Sequence, residues 1–339
     1  MSTSSFVAGC SGAVIKLAFD QAPALPDPVG FAGMGAGVTN EVLLATGGAN
    51  FPERKPWEGG AKVYNKAVYA FEKGDWRVIG ELSGKIAYAA CAGSREGLVL
   101  AGGTDDKENF RTAFRVSITG GRLVREELPA LPTPVAFSAH AVWQGRLVVI
   151  GGTDSPSATS ALDSVHWLDL ADPGRGWGRL PSLPGRGRML SVAGVLGGKL
   201  YVFGGCALEP DAAGKPVRSY RKEAFVLDGE QGEWKPVREL PEPLVATVGP
   251  APAVGDALLL LGGDTGFFYN NGRSPAEHPG QPRTIYAYRP AEDAYAAAGE
   301  LPLGIVTAPA VQWQGKVWLV CGETGPGKRT NTVTVIERK

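Results

Sequence analysis

The 339-residue chain is 44% hydrophobic and 20% charged, enough apolar content to bury a large core and too much for a disordered polypeptide. Its 34 Lys and Arg balance 34 Asp and Glu. With no basic run to break that neutrality, the chain is not expected to bind nucleic acid or an anionic membrane. No apolar stretch approaches the roughly 20 residues of a spanning helix. The residues before Lys16 carry no basic group and no long apolar segment, so no signal peptide is recognisable. The expected compartment is the cytoplasm, or the periplasm if a leader has been removed.

Forty-eight Gly and 26 Pro predict many tight turns between short strands, and sustained helical periodicity is missing, so the fold class is all-β. Cys10, Cys91, Cys206 and Cys321 have no CxxC spacing; the last three fall in or beside strand patterns and read as small buried hydrophobes. His140, His166 and His278 have no metal-site partner nearby. Neither a zinc site nor a copper-oxidase ligand set assembles from them, and no cofactor is expected.

In chain order, residues 13–19 form an orphan strand that runs toward the Leu25-Pro26 turn. An apolar strand closed by glycine then recurs six times, ending at Gly48, Gly103, Gly152, Gly205, Gly263 and Gly322, at spacings of 49–59 residues. That period is kelch-like and announces a repeat architecture. Each repeat reads as four strands. The fourth carries an aromatic residue, Trp76, Trp177, Trp234 or Tyr295, and leads to a Leu-Pro turn in most copies. In repeat two Val124 stands where the aromatic is expected. Four-stranded sheets repeated radially make a β-propeller. The last repeat lacks a fourth strand, so residues 13–19 are expected to complete it. This predicts a six-bladed, single-domain ring over residues 1–339 with no unpaired edge.

In such a blade the start of strand one and the end of strand two lie on one side. The six loops after the glycines, residues 50–64, 104–111, 153–162, 207–221, 264–283 and 323–330, therefore surround one channel mouth, as binding loops on a rigid scaffold do. Glu323 follows the last glycine directly. A partly desolvated carboxylate there can act as a general acid/base. Arg329 can fold back beside it and offer a planar fork to a substrate carboxylate. Arg188, opening another first strand, is expected at the same mouth. Asn50, Arg111 and Asp264 are further candidates for substrate binding, and Trp57, Glu58 and Asn270 also sit in mouth loops. A salt bridge from Glu323 to Arg329 that only pins the loop remains the alternative reading of that pair.

The segments GETGPGKRTNTV, RMLSVAG and GGANFPERKPWEGGAKVYNKAVYAF together resemble the sialic acid mutarotase (N-acetylneuraminate epimerase) family. The resemblance covers nearly the whole chain, circularly shifted, as in a permuted branch whose ring closes at a different blade. It implies that Glu323, in a Gly-Glu-x-x-Pro-Gly-x-Arg context, is the base, that Arg329 holds the sugar acid's carboxylate, and that Arg188 assists. It further implies α/β anomer interconversion of N-acetylneuraminic acid or a related sugar acid, a small-molecule partner and no cofactor. The loop at 264–283 matches the family only loosely, and the loop at 104–111 has no Glu after its glycines. A non-catalytic kelch propeller that binds a protein or carbohydrate is the competing reading.

Overall fold

The computed structural model describes residues 15–105, 107–270 and 273–339, and residues 13 and 14 of the expected closing strand lie outside them. The chain forms six antiparallel sheets arranged as the blades of a propeller. Blade 1 consists of Ala32–Thr39, Val42–Asn50, Ala67–Glu72 and Asp75–Glu81. Blades 2 to 5 follow within residues 90–128, 139–180, 192–237 and 253–300. Blade 6 takes its three inner strands from the C-terminus, Ala310–Trp313, Lys316–Val320 and Val333–Arg338, and its outermost strand, Leu17–Ala22, from the other end of the chain. Leu17 pairs with Arg338 and Ala22 with Val333. The closing strand thus reaches further along the chain than residue 19, ending where Pro23 can no longer donate to a ladder. No helix among the described residues is long and apolar enough to cross a membrane.

The second strand of each blade is apolar on both faces because both faces are covered. Leu43 and Leu44 are fully buried, yet they enter different clusters. Leu43 packs with Trp318 and Val320 of blade 6, and Leu44 with Leu98, Leu100 and Phe114 of blade 2. The same division repeats around the ring, so the core is six wedges, one between each pair of blades.

The glycine pair ends each of these strands for a steric reason. Gly47, Gly102, Gly151, Gly204 and Gly262 have φ of 56–69°. A Cβ at any of them would lie 2.3–2.6 Å from a carbonyl oxygen of the next blade. Only glycine fits both demands without strain. Cys321 holds the sixth such position at φ 59°. Cys91, Cys206 and Cys321 are free and buried, and burial pushes the Cys321 thiol up to about 12.

The fourth-strand aromatics fasten neighbouring blades. Trp76 Nε1 donates to the Pro23 carbonyl at 3.0 Å, Trp177 Nε1 to Pro129 at 2.7 Å, and Trp234 Nε1 to Pro181 at 2.9 Å. Tyr295 donates its hydroxyl to the Arg238 carbonyl at 2.9 Å. In blade 2 the equivalent place belongs to Arg125, not to Val124, which is 42% exposed. Arg125 stands six residues before the buried Leu131, as Trp177 does before Leu183. Its guanidinium lies 3.8 Å from the Phe114 ring centre and donates to Ser83 Oγ at 2.6 Å. A planar cation thereby substitutes for an indole, filling area and supplying a donor. Removing one such donor is expected to cost about 1 kcal/mol. Trp177→Phe should lower the urea midpoint accordingly with its m-value unchanged; an unmoved midpoint would show that the bond to Pro129 contributes nothing.

Candidate functional site

The mouth is built on a closed ring of backbone hydrogen bonds. Gly33, Tyr88, Phe137, Leu190, Ala246 and Thr307 open the innermost strands, one per blade, and all have positive φ of 54–68°. Each N–H donates to the carbonyl of the preceding member at 2.7–3.2 Å, and Gly33 closes the circle on Thr307. Outside this ring runs a second one. The residue before each ring member pairs with the residue after each strand-ending glycine: Ala32 with Ala49, Ala87 with Thr104, Ala136 with Thr153, Met189 with Cys206, Val245 with Asp264, and Val306 with Glu323. Of the six post-glycine residues only Asp264 and Glu323 are acids.

Glu323 is therefore held by its backbone, exchanging two 2.9 Å hydrogen bonds with Val306. It opens a two-stranded hairpin, Glu323–Gly325 and Lys328–Arg329, in which Glu323 lies opposite Arg329. The turn between them, Pro326-Gly327, brings the side chains together. Arg329 Nη1 is 3.0 Å from Glu323 Oε2, and these side chains are 3% and 18% exposed. The second carboxylate oxygen, Oε1, accepts from the Gly327 N–H at 3.1 Å. Arg329 Nε donates to the Ala49 carbonyl at 3.1 Å, and its guanidinium faces the Phe51 ring at 5.3 Å. The pair exists, but in the wall of the mouth rather than on the outer surface.

Above the ring lies an open cavity of about 540 Å³. Tyr88, Phe137, Leu190, Ala246 and Thr307 form its floor; Glu323, Arg329, Lys62, Arg218, Asp264 and Gln281 supply its polar wall, with Trp57 on the rim. The Lys62 ammonium lies 5.7 Å from the ring centres of Tyr64 and Tyr88. Desolvation of that ammonium end, reinforced by Arg329, lowers its pKa against the opposing pull of Glu323. Burial pushes the Tyr88 phenol up to about 12, partly countered by Arg329. Asp264 accepts from the Tyr220 hydroxyl at 3.0 Å and from the Gly266 N–H at 2.9 Å. Among the described residues no group of three His, Cys, Asp or Glu side chains could hold a metal ion.

Of the residues expected from sequence, Glu323, Arg329 and Asp264 come together at this cavity, and Arg188, Asn50 and Arg111 do not line it. Arg188 is buried between blades, donating to the Gly204 and Glu223 carbonyls at 3.3 and 3.4 Å and lying 5.3 Å from the Phe225 ring. It precedes the ring member Leu190 by two residues and turns between the blades instead of toward the mouth. Asn50 is one residue beyond Ala49, on the alternate side of its strand, and is buried beside Val63. Arg111 donates to the Leu131 carbonyl at 2.8 Å, in a loop that is folded back by the bridge from Thr104 to Asn109. Lys62, Tyr88, Arg218 and Gln281 escaped the sequence reading. Tyr88 was findable by superposing the repeats, since it stands where Phe137 and Leu190 stand.

Truncating Arg329 leaves the Glu323 carboxylate without its counter-charge and frees the Ala49 carbonyl. Arg329→Met is expected to destabilise the protein by about 3 kcal/mol, more than Glu323→Gln does. Equal thermal midpoints for the two variants would contradict that ordering.

No protein-family model matches the chain. It is 24% identical over 230 residues to the N-acetylneuraminate epimerase of Salmonella arizonae and 29% identical over 234 residues to that of Yersinia pestis; each match covers 61% of this chain and 57% of the relative. Against the protein of the same name from Haemophilus influenzae the identity is 29% over 212 residues, 55% of this chain and 54% of the relative. The chain thus spans somewhat more than half the length of the curated relatives it matches. The solved structure of YjhT superposes with a TM-score of 0.70 over 94% of this chain and 97% of that one at 16% identity, which shows a common fold. This six-bladed propeller is therefore similar in sequence to curated N-acetylneuraminate epimerases, as its motifs indicated, and shares its fold with YjhT.

Proposed function

We propose that the protein is a mutarotase that interconverts the α and β anomers of N-acetylneuraminic acid, or of a related sugar acid, by acid/base ring opening. The observation that carries this reading is the hairpin that sets Glu323 against Arg329 in the wall of the mouth. Anomers exchange when the anomeric hydroxyl loses a proton, the ring oxygen gains one, the chain rotates as the free ketone, and the ring recloses. Glu323, its Oε1 accepting from the Gly327 N–H and its Oε2 ion-paired with Arg329, is the group that takes the first proton. Arg329 offers the guanidinium fork that fits a carboxylate, with the Lys62 ammonium close by. The faces of Trp57, Tyr88 and Phe137 suit the apolar side of a sugar, and a cavity of about 540 Å³ lies in the range of small-molecule sites.

A circular shift accords with the comparisons. It leaves a linear alignment only the larger of two segments to match, whereas the fold corresponds over nearly the full length.

The test is the equilibration of freshly released α-N-acetylneuraminic acid, followed by proton NMR near pH 7 with and without protein. Acceleration by the wild type is expected. Glu323→Gln should reduce it by at least about 100-fold while the sugar still binds. Unchanged exchange in that variant would remove Glu323 from the role of base. Contact with the sugar but no acceleration by the wild type would favour a carbohydrate-binding propeller.

A further inference from the structure

Ring opening needs a proton donor for the ring oxygen as well as a base for the anomeric hydroxyl. We propose, resting on the mutarotase reading, that Tyr88 is that general acid, paired across the mouth floor with Glu323 as the base.

Tyr88 is the one member of the ring that has both a polar tip and a proton to give. Gly33, Phe137, Leu190 and Ala246 carry no polar side-chain atom. Thr307 spends its hydroxyl proton on the Val306 carbonyl at 2.7 Å. The Tyr88 side chain lines the same cavity as Glu323 and Arg329, and both of those charges act on its phenol, so it belongs to the same electrostatic unit as the base. A guanidinium can only donate, so Arg329 does not compete for the phenol proton. Burial keeps the phenol protonated at neutral pH, with a pKa of about 12.

The position is rigid as well as apt. The Tyr88 backbone is locked at φ 57° between hydrogen bonds to Gly33 and Phe137, and its ring packs 4.5 Å from that of Phe137. Space for the ring exists because residue 33 is glycine; a Cβ there would lie 2.4 Å from Tyr88 Cδ1. This is the pre-organisation expected of a group that touches the reacting atoms.

In the forward step Glu323 accepts the proton of the anomeric hydroxyl, whose C–O bond becomes the ketone double bond. The bond from the anomeric carbon to the ring oxygen breaks, and Tyr88 gives that oxygen its proton. A phenolate is left beside the Arg329 guanidinium. After bond rotation the released hydroxyl adds to the other face of the carbonyl and returns its proton to Tyr88. The proton held by Glu323 passes to the new anomeric oxygen, so both groups end as they began.

Tyr88→Phe keeps the ring packing and deletes only the acid. The expected result is a loss of at least about 100-fold in kcat for anomer exchange, with the affinity for N-acetylneuraminic acid within about threefold and the thermal midpoint little changed. Replacement by 3,5-difluorotyrosine, which restores the hydroxyl in the same place, should recover most of the exchange. Exchange within threefold of wild type in Tyr88→Phe would overturn the assignment. So would a variant that loses affinity and stability together, which marks a structural role. If Lys62→Met abolishes exchange and Tyr88→Phe does not, the ammonium is the acid instead. Absence of exchange in the wild type sinks the mutarotase reading itself, and this assignment with it, a result separate from all the others.

Discussion

The structure depends on six backbone hydrogen bonds that close on themselves. From Gly33 through Thr307, each ring member donates to the blade before it, and five of the six are not glycine. Left-handed backbone costs an L-residue about 1–2 kcal/mol, and the β-branched Thr307 is the least suited to it. The conformation persists because each residue gains a hydrogen bond at the centre of the ring, where an unmade bond would be costly. It also persists because six apolar wedges hold the blades at the one separation that lets the circle close. Strain at the hub and packing at the rim are thus two sides of one constraint. The consequence for chemistry is that the floor of the mouth consists of side chains whose backbones cannot move independently.

A six-fold scaffold becomes a one-sided site through loop length. Blades 1, 4, 5 and 6 send residues such as Lys62, Arg218, Gln281 and Arg329 into the wall of the cavity. The loops of blades 2 and 3 are instead tied to each other, Asn109 Nδ2 donating to the Thr153 carbonyl at 2.8 Å. That tie leaves one side of the mouth low. The arrangement also explains why two acids can serve different ends from equivalent positions. Asp264 is satisfied by Tyr220 and Gly266 and braces the wall, whereas Glu323 is matched with a guanidinium that a substrate carboxylate could also recruit.

The repeat, the blade count and the origin of the closing strand were legible because each rests on a local rule: glycine where a Cβ would strike the next blade, an aromatic six residues before a buried leucine, a missing fourth strand. Glu323 and Arg329 were legible because one directly follows the glycine that ends its strand and the other shares its turn. What failed was register. Asn50 misses the mouth by one residue, and strand alternation converts that into the opposite face of the sheet; Arg188, two residues before Leu190, turns between the blades instead. The aromatic's place in blade 2 was given to Val124, one residue before Arg125, because an aromatic was sought where a guanidinium does the indole's work. Tyr88 stayed hidden because its neighbours in space, Arg329 and Gly33, are far from it in sequence, and because a ring of left-handed residues has no composition of its own.

Cys321 shows how closely the scaffold's irregularities track the site. Every other repeat has glycine there, for the reason that a side chain collides with the next blade's carbonyl. In blade 6 the thiol is accommodated instead in the buried wedge against blade 1, and Gly322 donates its N–H to the Phe31 carbonyl at 2.8 Å. The neighbouring ring member is Gly33, the only one without a side chain. The repeat therefore departs from its rule on both sides of one blade junction, between blade 6 with Glu323 and blade 1 with Phe51, Trp57 and Lys62. A side chain is added in the buried wedge and one is removed from the floor, and Tyr88 takes the space so released. Where a symmetric scaffold carries an asymmetric function, the broken positions of the repeat are the ones that a physical reading should weigh first.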